Sequence, residues 1–325
     1  MKRYGEFRAL TVVAALFLAP TLGHADEYPS RPITFIVPWQ AGGPIDAAMR
    51  AVAQGASKRL GQPILIDNRP GVAGTLGPAS MAATAKPDGY TIAQIGTAQF
   101  RMPLIQKTAY DPEKDFTYIV RLMGITFGVL TTAQSPYKSW GDVVEYAKKN
   151  PGKVTYASPG LYSNPHLGME QITGLAGINL LHVPFKSTPE STIALLGGQT
   201  DLQVDGSGFR PLIESGKARL LAIFTEKRSP RWPDVPTLKE LGYPLVVQSP
   251  IGIAGPKGMD PKIAAKLHDA FRAALADPEV QRVMDDVLMV PAYMGSKEWT
   301  QDLARAQKED KLLLVRLGLL RADLK

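Results

Sequence analysis

The chain has 325 residues, 45% hydrophobic and 21% charged, with a formal net charge of +7. That length predicts about two domains of roughly 100–200 residues each, with ample apolar material for a core. It contains no cysteine, which excludes a disulfide framework, a thiol nucleophile, a zinc ribbon and a CxxC redox pair.

In chain order, Met1 to Ala25 reads first, as a secretory signal peptide. Lys2, Arg3 and Arg8 form a positive start, Ala9 to Ala19 an apolar stretch, and Gly23-His24-Ala25 puts small residues at both cleavage positions. The apolar stretch is shorter than the ~20 residues that a spanning helix needs. Cleavage after Ala25 would release residues 26–325 into the bacterial periplasm, where disulfides are permitted but a large core does not need them. Near the other end, the apolar run Leu312 to Val315 is broken by Arg316.

Strand-like runs then alternate with helix-like ones. Ile33 to Val37 is almost continuously apolar, as a strand buried on both faces of a sheet requires. Further strands are predicted at Ile64–Ile66, Thr91–Ile95, Phe127–Leu130, Val154–Tyr156, Leu180–Val183, Leu202–Val204 and Leu220–Phe224. Amphipathic stretches at Asp46–Leu60, Trp140–Lys149, Pro165–Leu175 and Pro189–Leu196 predict helices between them. This alternation gives an α/β fold class. The tail reads differently: Asp260–Ala276, Pro278–Leu288 and Lys297–Leu317 are helical, with little strand between them.

In open α/β sheets, ligands bind beyond the carboxyl ends of the strands, and two loops there are rich in Gly and Pro. Pro38-Trp39-Gln40-Ala41-Gly42-Gly43-Pro44-Ile45-Asp46 follows the first strand, and Asn68 to Gly77 follows the second. Gly43 and Pro44 have the form of an N-cap and first-turn pair, and a helix start attracts anions through its free N–H groups and its dipole. Tight turn geometry alone is the competing reading of each loop. Asp46 and Arg50, four residues apart, form a surface ion pair that would also neutralise the carboxylate beside an anion site.

Several chemistries lack their residues. Neither the dinucleotide fingerprint nor a phosphate-binding P-loop occurs, so no nucleotide cofactor is expected. There is no G-x-S-x-G elbow, no H-E-x-x-H or histidine cluster for a metal, and no basic face with interleaved aromatics for nucleic acid. His182 reads as a core or edge residue and His268 as a solvated one, while His166 lies in a polar loop that runs into a helix.

The chain resembles the tripartite tricarboxylate transporter solute-binding proteins, the Bug or TctC family of periplasmic receptors. The resemblance covers residues 26–325. Its carriers are Tyr28-Pro29, Arg31-Pro32-Ile33, Val37 to Gly43 with Asp46 and Arg50, Leu60-Gly61-Gln62, Asn68-Arg69-Pro70-Gly71 and Lys86 to Thr91. They continue with Tyr110-Asp111-Pro112, Asp115-Phe116, Tyr156-Ala157-Ser158, His166-Leu167, His182 to Lys186 and Pro233 to Thr237. Trp39 stands where Phe is commoner, Val72-Ala73 replaces the usual Ala-Gly, and Ser187 replaces a frequent Gly. The indole is compatible with a flat aromatic acid or with a narrower mouth.

The resemblance implies a type II periplasmic binding protein: two α/β domains, a ligand cleft between them and two hinge-crossing strands. Domain 1 would be 26–125 plus 252–325 and domain 2 would be 126–251, with crossings near Tyr118-Ile119-Val120 and Val246–Ile253. Ligand contacts would come from Trp39, Ala41, Gly42, Gly43, Pro44 and Asp46, from Gly71, Ala73, Gly74 and Thr75, and from Thr97 and Ala98. The opposing wall would be Ser158, Ser163, His166 and the loop Asp205-Gly206-Ser207. The implied function is capture of a small organic carboxylate by a monomeric, non-enzymatic receptor that delivers it to integral membrane permease subunits. The alternatives are a ligand sensor for a membrane signalling partner and a secreted hydrolase using His166 with Ser158 or Ser163.

Overall fold

The computed structural model describes residues 28–206 and 208–324; the signal-peptide reading of 1–25 and the site residue Ser207 fall outside them. Strand β1 (Ile33–Val37) is buried along nearly its whole length, as its unbroken apolar sequence requires. It leads into α1 (Pro44–Leu60), which starts on Pro44 and stops at Gly61 in the left-handed conformation, whose amide bonds back to Ser57. There follow β2 (Ile64–Asn68), α2 (Leu76–Thr84), β3 (Thr91–Gly96), α3 (Thr97–Ile105) and the long β4 (Phe116–Thr126).

The chain continues through β5 (Gly128–Thr132), α4 (Trp140–Lys149), β6 (Thr155–Pro159), α5 (Asn164–Ala176), β7 (Leu181–Phe185) and α6 (Thr188–Leu196). Next come β8 (Leu202–Asp205), α7 (Arg210–Glu214) and β9 (Ala218–Ile223). Last are β10 (Gln248–Pro256), α8 (Pro261–Ala274), α9 (Pro278–Asp286), β11 (Met289–Gly295) and α10 (Ser296–Arg316). Helix starts follow capping chemistry: the side chains of Ser139, Asp260 and Asp277 accept first-turn amides of α4, α8 and α9.

These strands form two sheets. The first has the order β11-β4-β10-β3-β1-β2 and the second β7-β6-β8-β5-β9. Both are mixed: β1, β2 and β3 pair in parallel, whereas β10 runs antiparallel to β3 and β4. Helices α1 and α8 pack together over the first sheet, where Phe35 meets Phe271 edge-on with ring centroids 5.7 Å apart. Gly55 permits this approach, because a β-carbon there would lie 2.9 Å from that of Ala274.

The tail departs from the sequence reading. Met289–Gly295 is a strand, antiparallel to β4 at the edge of the first sheet, in place of a helical connection. Tyr118–Val120 lies inside β4, and the chain passes from the first sheet to the second at Phe127. Residues 248–251 pair with β4 in the first sheet. At the waist the amide of Phe224 bonds to the carbonyl of Phe127 (2.9 Å) and that of Val247 to Phe224 (3.1 Å), binding the crossing segments together.

Candidate functional site

The loops after β1, β2 and β3 converge at one rim of the first sheet and face the loops after β6, β7 and β8 of the second. A cavity of about 410 Å³ lies between them, and its lining runs from Pro38, Trp39, Gly43 and Pro44 across to Asp205 and Gly206. A second cavity, about 540 Å³, lies nearer α10. There Arg101 is paired with Asp310 and Arg121 with Asp302, so the principal charges face one another.

The first loop brings unpaired donors to the cavity lining. Gly43 is an N-cap in extended conformation without a side-chain cap, and the first-turn amides of α1 have no acceptor inside the helix. Asp46 does not line the cavity. Its buried carboxylate faces the back of the loop and accepts bonds from the Gly42 amide, Arg50 Nε and Asn68 Nδ2, each at 2.9 Å. Burial alone would raise its pKa, but these bonds outweigh burial and hold the carboxyl below the usual range. The expected Asp46–Arg50 pair is present, and its partners make it an internal brace of the loop. Asn68 also donates to the Trp39 carbonyl (3.0 Å), linking the loop to β2.

The second loop is strained. Gly71, Val72, Ala73 and Gly74 have φ of 137°, 48°, 53° and 86°. A left-handed conformation costs a residue with a β-carbon about 1–2 kcal/mol. The amides of Gly74, Thr75 and Leu76 close the turn onto the Gly71 and Val72 carbonyls, and those of Val72 and Ala73 take no part in it. Trp39 lies across Gly74, within 3 Å of where a β-carbon would stand, and its Nε1 donates to Gln94 Oε1 at 2.9 Å. Gln99 fastens the third loop to this one: its Nε2 donates to the Gly74 carbonyl and its Oε1 accepts the Gly96 amide.

Of the residues expected at the site, Trp39, Gly43, Pro44, Gly71, Ala73, Gly74, Thr97, Ala98, Ser163 and Asp205 line the cavity together; Ala41, Gly42, Asp46, Thr75, Ser158 and His166 do not. Ala41 and Gly42 are exposed on the loop's outer side, and Thr75 is buried, donating to the Val72 carbonyl. Ser158 is fully buried, and its Oγ is 2.7 Å from His182 Nε2, not bonded to His166. His166 turns inward because its Nδ1 accepts the Tyr162 amide (3.0 Å) and its ring stacks on His182 with centroids 3.9 Å apart. Burial, then the neighbouring His182 and Arg101, push its pKa down to about 3. It therefore shapes the loop before α5 from behind and, being neutral, offers no charge to a ligand.

The structure also brings in residues that the sequence reading missed. Gln94, Gln99, Asn164, Lys186, Thr188 and Phe127 all line the cavity. A lone polar residue at a strand end or helix start carries no signal of its own, although Phe185-Lys186 stood among the recognisable segments. Lys186 and Asp205 are the only lining residues with ionisable side chains among those described. Asp205 Oδ1 accepts from the Gly206 amide (2.7 Å) and Thr188 Oγ1 (3.1 Å), and Oδ2 from Gln203 Nε2 (3.2 Å). Burial pushes its carboxyl up to about 6 against these bonds. Among the described residues there is no group of three metal-ligating side chains. The arrangement is suited to holding an anion against backbone amides, with a second wall closing over it.

The sequence profile described as "Tripartite tricarboxylate transporter family receptor" matches residues 48–319. A protein of the gbd 5' region of Cupriavidus necator is 43% identical over 97% of this chain and 96% of its own. The periplasmic binding protein BugD is similar in structure, with a TM-score of 0.84 and 30% identity over 90% of this chain and 99% of its own. MatC of Rhodopseudomonas palustris, solved with bound malate, has a TM-score of 0.80 and 29% identity over 88% of this chain and 100% of its own. An R. palustris protein solved with adipate gives 0.84 and 26% over 90% and 99%. The fold is that of the periplasmic binding proteins.

Proposed function

The chain belongs to the tripartite tricarboxylate transporter receptor family, and on that premise we propose that it captures a small organic carboxylate in the periplasm and passes it to membrane permease subunits. The observation that carries this reading is the rim where three loops bring residues with unpaired backbone amides to one cavity, with no acid lining it from their side. Similarity to receptors solved with malate and with adipate supports the carboxylate class.

Each charge-assisted bond to the carboxylate contributes about 1.5–3 kcal/mol. Three or four of them, less the cost of ordering, reach the roughly −8 kcal/mol of micromolar binding. The two sheets, each with the helices packed on it, act as lobes that close over the solute, with Thr126 and residues 248–251 on the side of the first sheet. Ligand shifts the open–closed balance only by its differential affinity for the two states, and residues from Ser163 to Asp205 supply that difference once the anchor is filled. No step of this cycle requires catalysis.

A thermal-shift screen against a panel of carboxylates tests the reading. A true ligand at 100 times its dissociation constant stabilises the fold by about 2.7 kcal/mol. A panel that leaves the melting temperature unmoved contradicts it.

A further inference from the structure

The cavity is unlike a site built for two or three carboxylates. Trp39 lines it, its indole fixed by the bond to Gln94 and by packing on Gly74. Ile45, Ile125, Phe127, Phe185 and Ile251 also reach the lining, and Phe127 is held against Gly206, whose β-carbon position is 3.2 Å from its ring. No arginine lines the space, and its single cation, Lys186, is exposed. A second carboxylate on the solute would instead meet Asp205. That acid lines the same cavity from the wall of the second sheet. Removing an anion from water without a paired cation or a full set of donors is costly. At about 410 Å³ the cavity falls in the range of roughly 300–1,000 Å³ that encloses drug-sized ligands, more than a short aliphatic linker fills.

We propose that the solute is a monocarboxylate with a flat, apolar body, its carboxylate on the amide rim and its ring on Trp39, and that Asp205 rejects a second carboxylate. This rests on the receptor reading above and narrows its ligand class. A planar ring gains from a preorientated indole, because offset or edge-on aromatic contacts add to burial of area. Burial raises the Asp205 carboxyl only to about 6, below a working pH of 7.5, so it accepts hydrogen bonds from an uncharged far end of the solute and repels a second carboxylate there.

The test is calorimetric titration of the purified protein at pH 7.5 with benzoate, 2-naphthoate, hexanoate, malate and adipate. The expected result is that an aromatic acid binds at least tenfold more tightly than malate or adipate. Trp39→Leu should erase at least tenfold of that preference and Trp39→Phe should retain it, while Asp205→Asn should raise adipate affinity at least tenfold. Malate or adipate binding as tightly as the aromatic acids overturns this inference and leaves the receptor reading standing; binding of none of the five overturns both. An aromatic preference that survives Trp39→Leu overturns the role of the indole, and adipate affinity unmoved by Asp205→Asn overturns that of the acid.

Discussion

The left-handed turn at Gly71–Gly74 holds Val72 and Ala73 in conformations their β-carbons resist, and such strain persists where the surroundings over-determine it. Here Trp39 and Gln99 do so from opposite sides. A different strain sits behind the opposing wall, where His166 and His182 are stacked and burial is the principal cause that drives their pKa values down to about 3 and about 4. The unfolded chain takes up protons at both rings near 6.5 while the folded one does not, so stability falls as pH drops from 6.5 towards 4. Asp205 acts oppositely: its folded value of about 6 exceeds the ordinary aspartate value of 3.8, so it adds stability as pH falls through that window. Two groups outweigh one. The melting temperature should therefore decline between pH 6.5 and 4, and less steeply in His182→Gln, which keeps a polar partner for Ser158; an identical slope in the variant would contradict the assignment. The family resemblance placed His166 in the wall, and only the Tyr162 amide, four residues back along the chain, reveals that the ring points inward.

Among the elements, α3 ties the first sheet's helices to α5 of the second sheet. Arg101 on this helix donates to Asn164 Oδ1 and the Tyr162 carbonyl in the second lobe, and pairs with Asp310 of α10 at 2.8 Å. Both partners of the pair are buried. Asp310→Ala leaves an uncompensated guanidinium inside and should lower the unfolding free energy by about 3–5 kcal/mol in urea denaturation; a loss under about 1 kcal/mol would show the charge to be solvated. This network was not legible, because α3 contains Pro103 and its sequence carries no clear helical period. The edge strand β11 escaped notice for a related reason: Pro291 interrupts it, and it is paired on one side only. By contrast β1 and α1 were readable to within two residues, since an unbroken apolar run and a Gly-Pro start each have one good structural solution. The two glycine-rich loops were readable as neighbours, and residues of both line one cavity, whereas Gln94 and Gln99, polar residues within buried elements, gave no pattern to find.

At the scale of the molecule, two mixed sheets meet at a waist that the described chain crosses twice, and the rims that face across it carry unlike chemistry. One rim is main-chain amide held rigid by Asp46, Asn68 and Gln99; the other is side chain, from Ser163 to Asp205. The most direct measurement is amide nuclear magnetic resonance of the ¹⁵N-labelled protein, free and saturated with a bound carboxylate. The Gly43, Val72, Ala73, Thr97 and Ala98 amides should show the largest shifts, and Gly74→Val, whose side chain would displace Trp39, should abolish them at the same ligand concentration. Saturable binding that leaves those five amides unmoved would contradict the account.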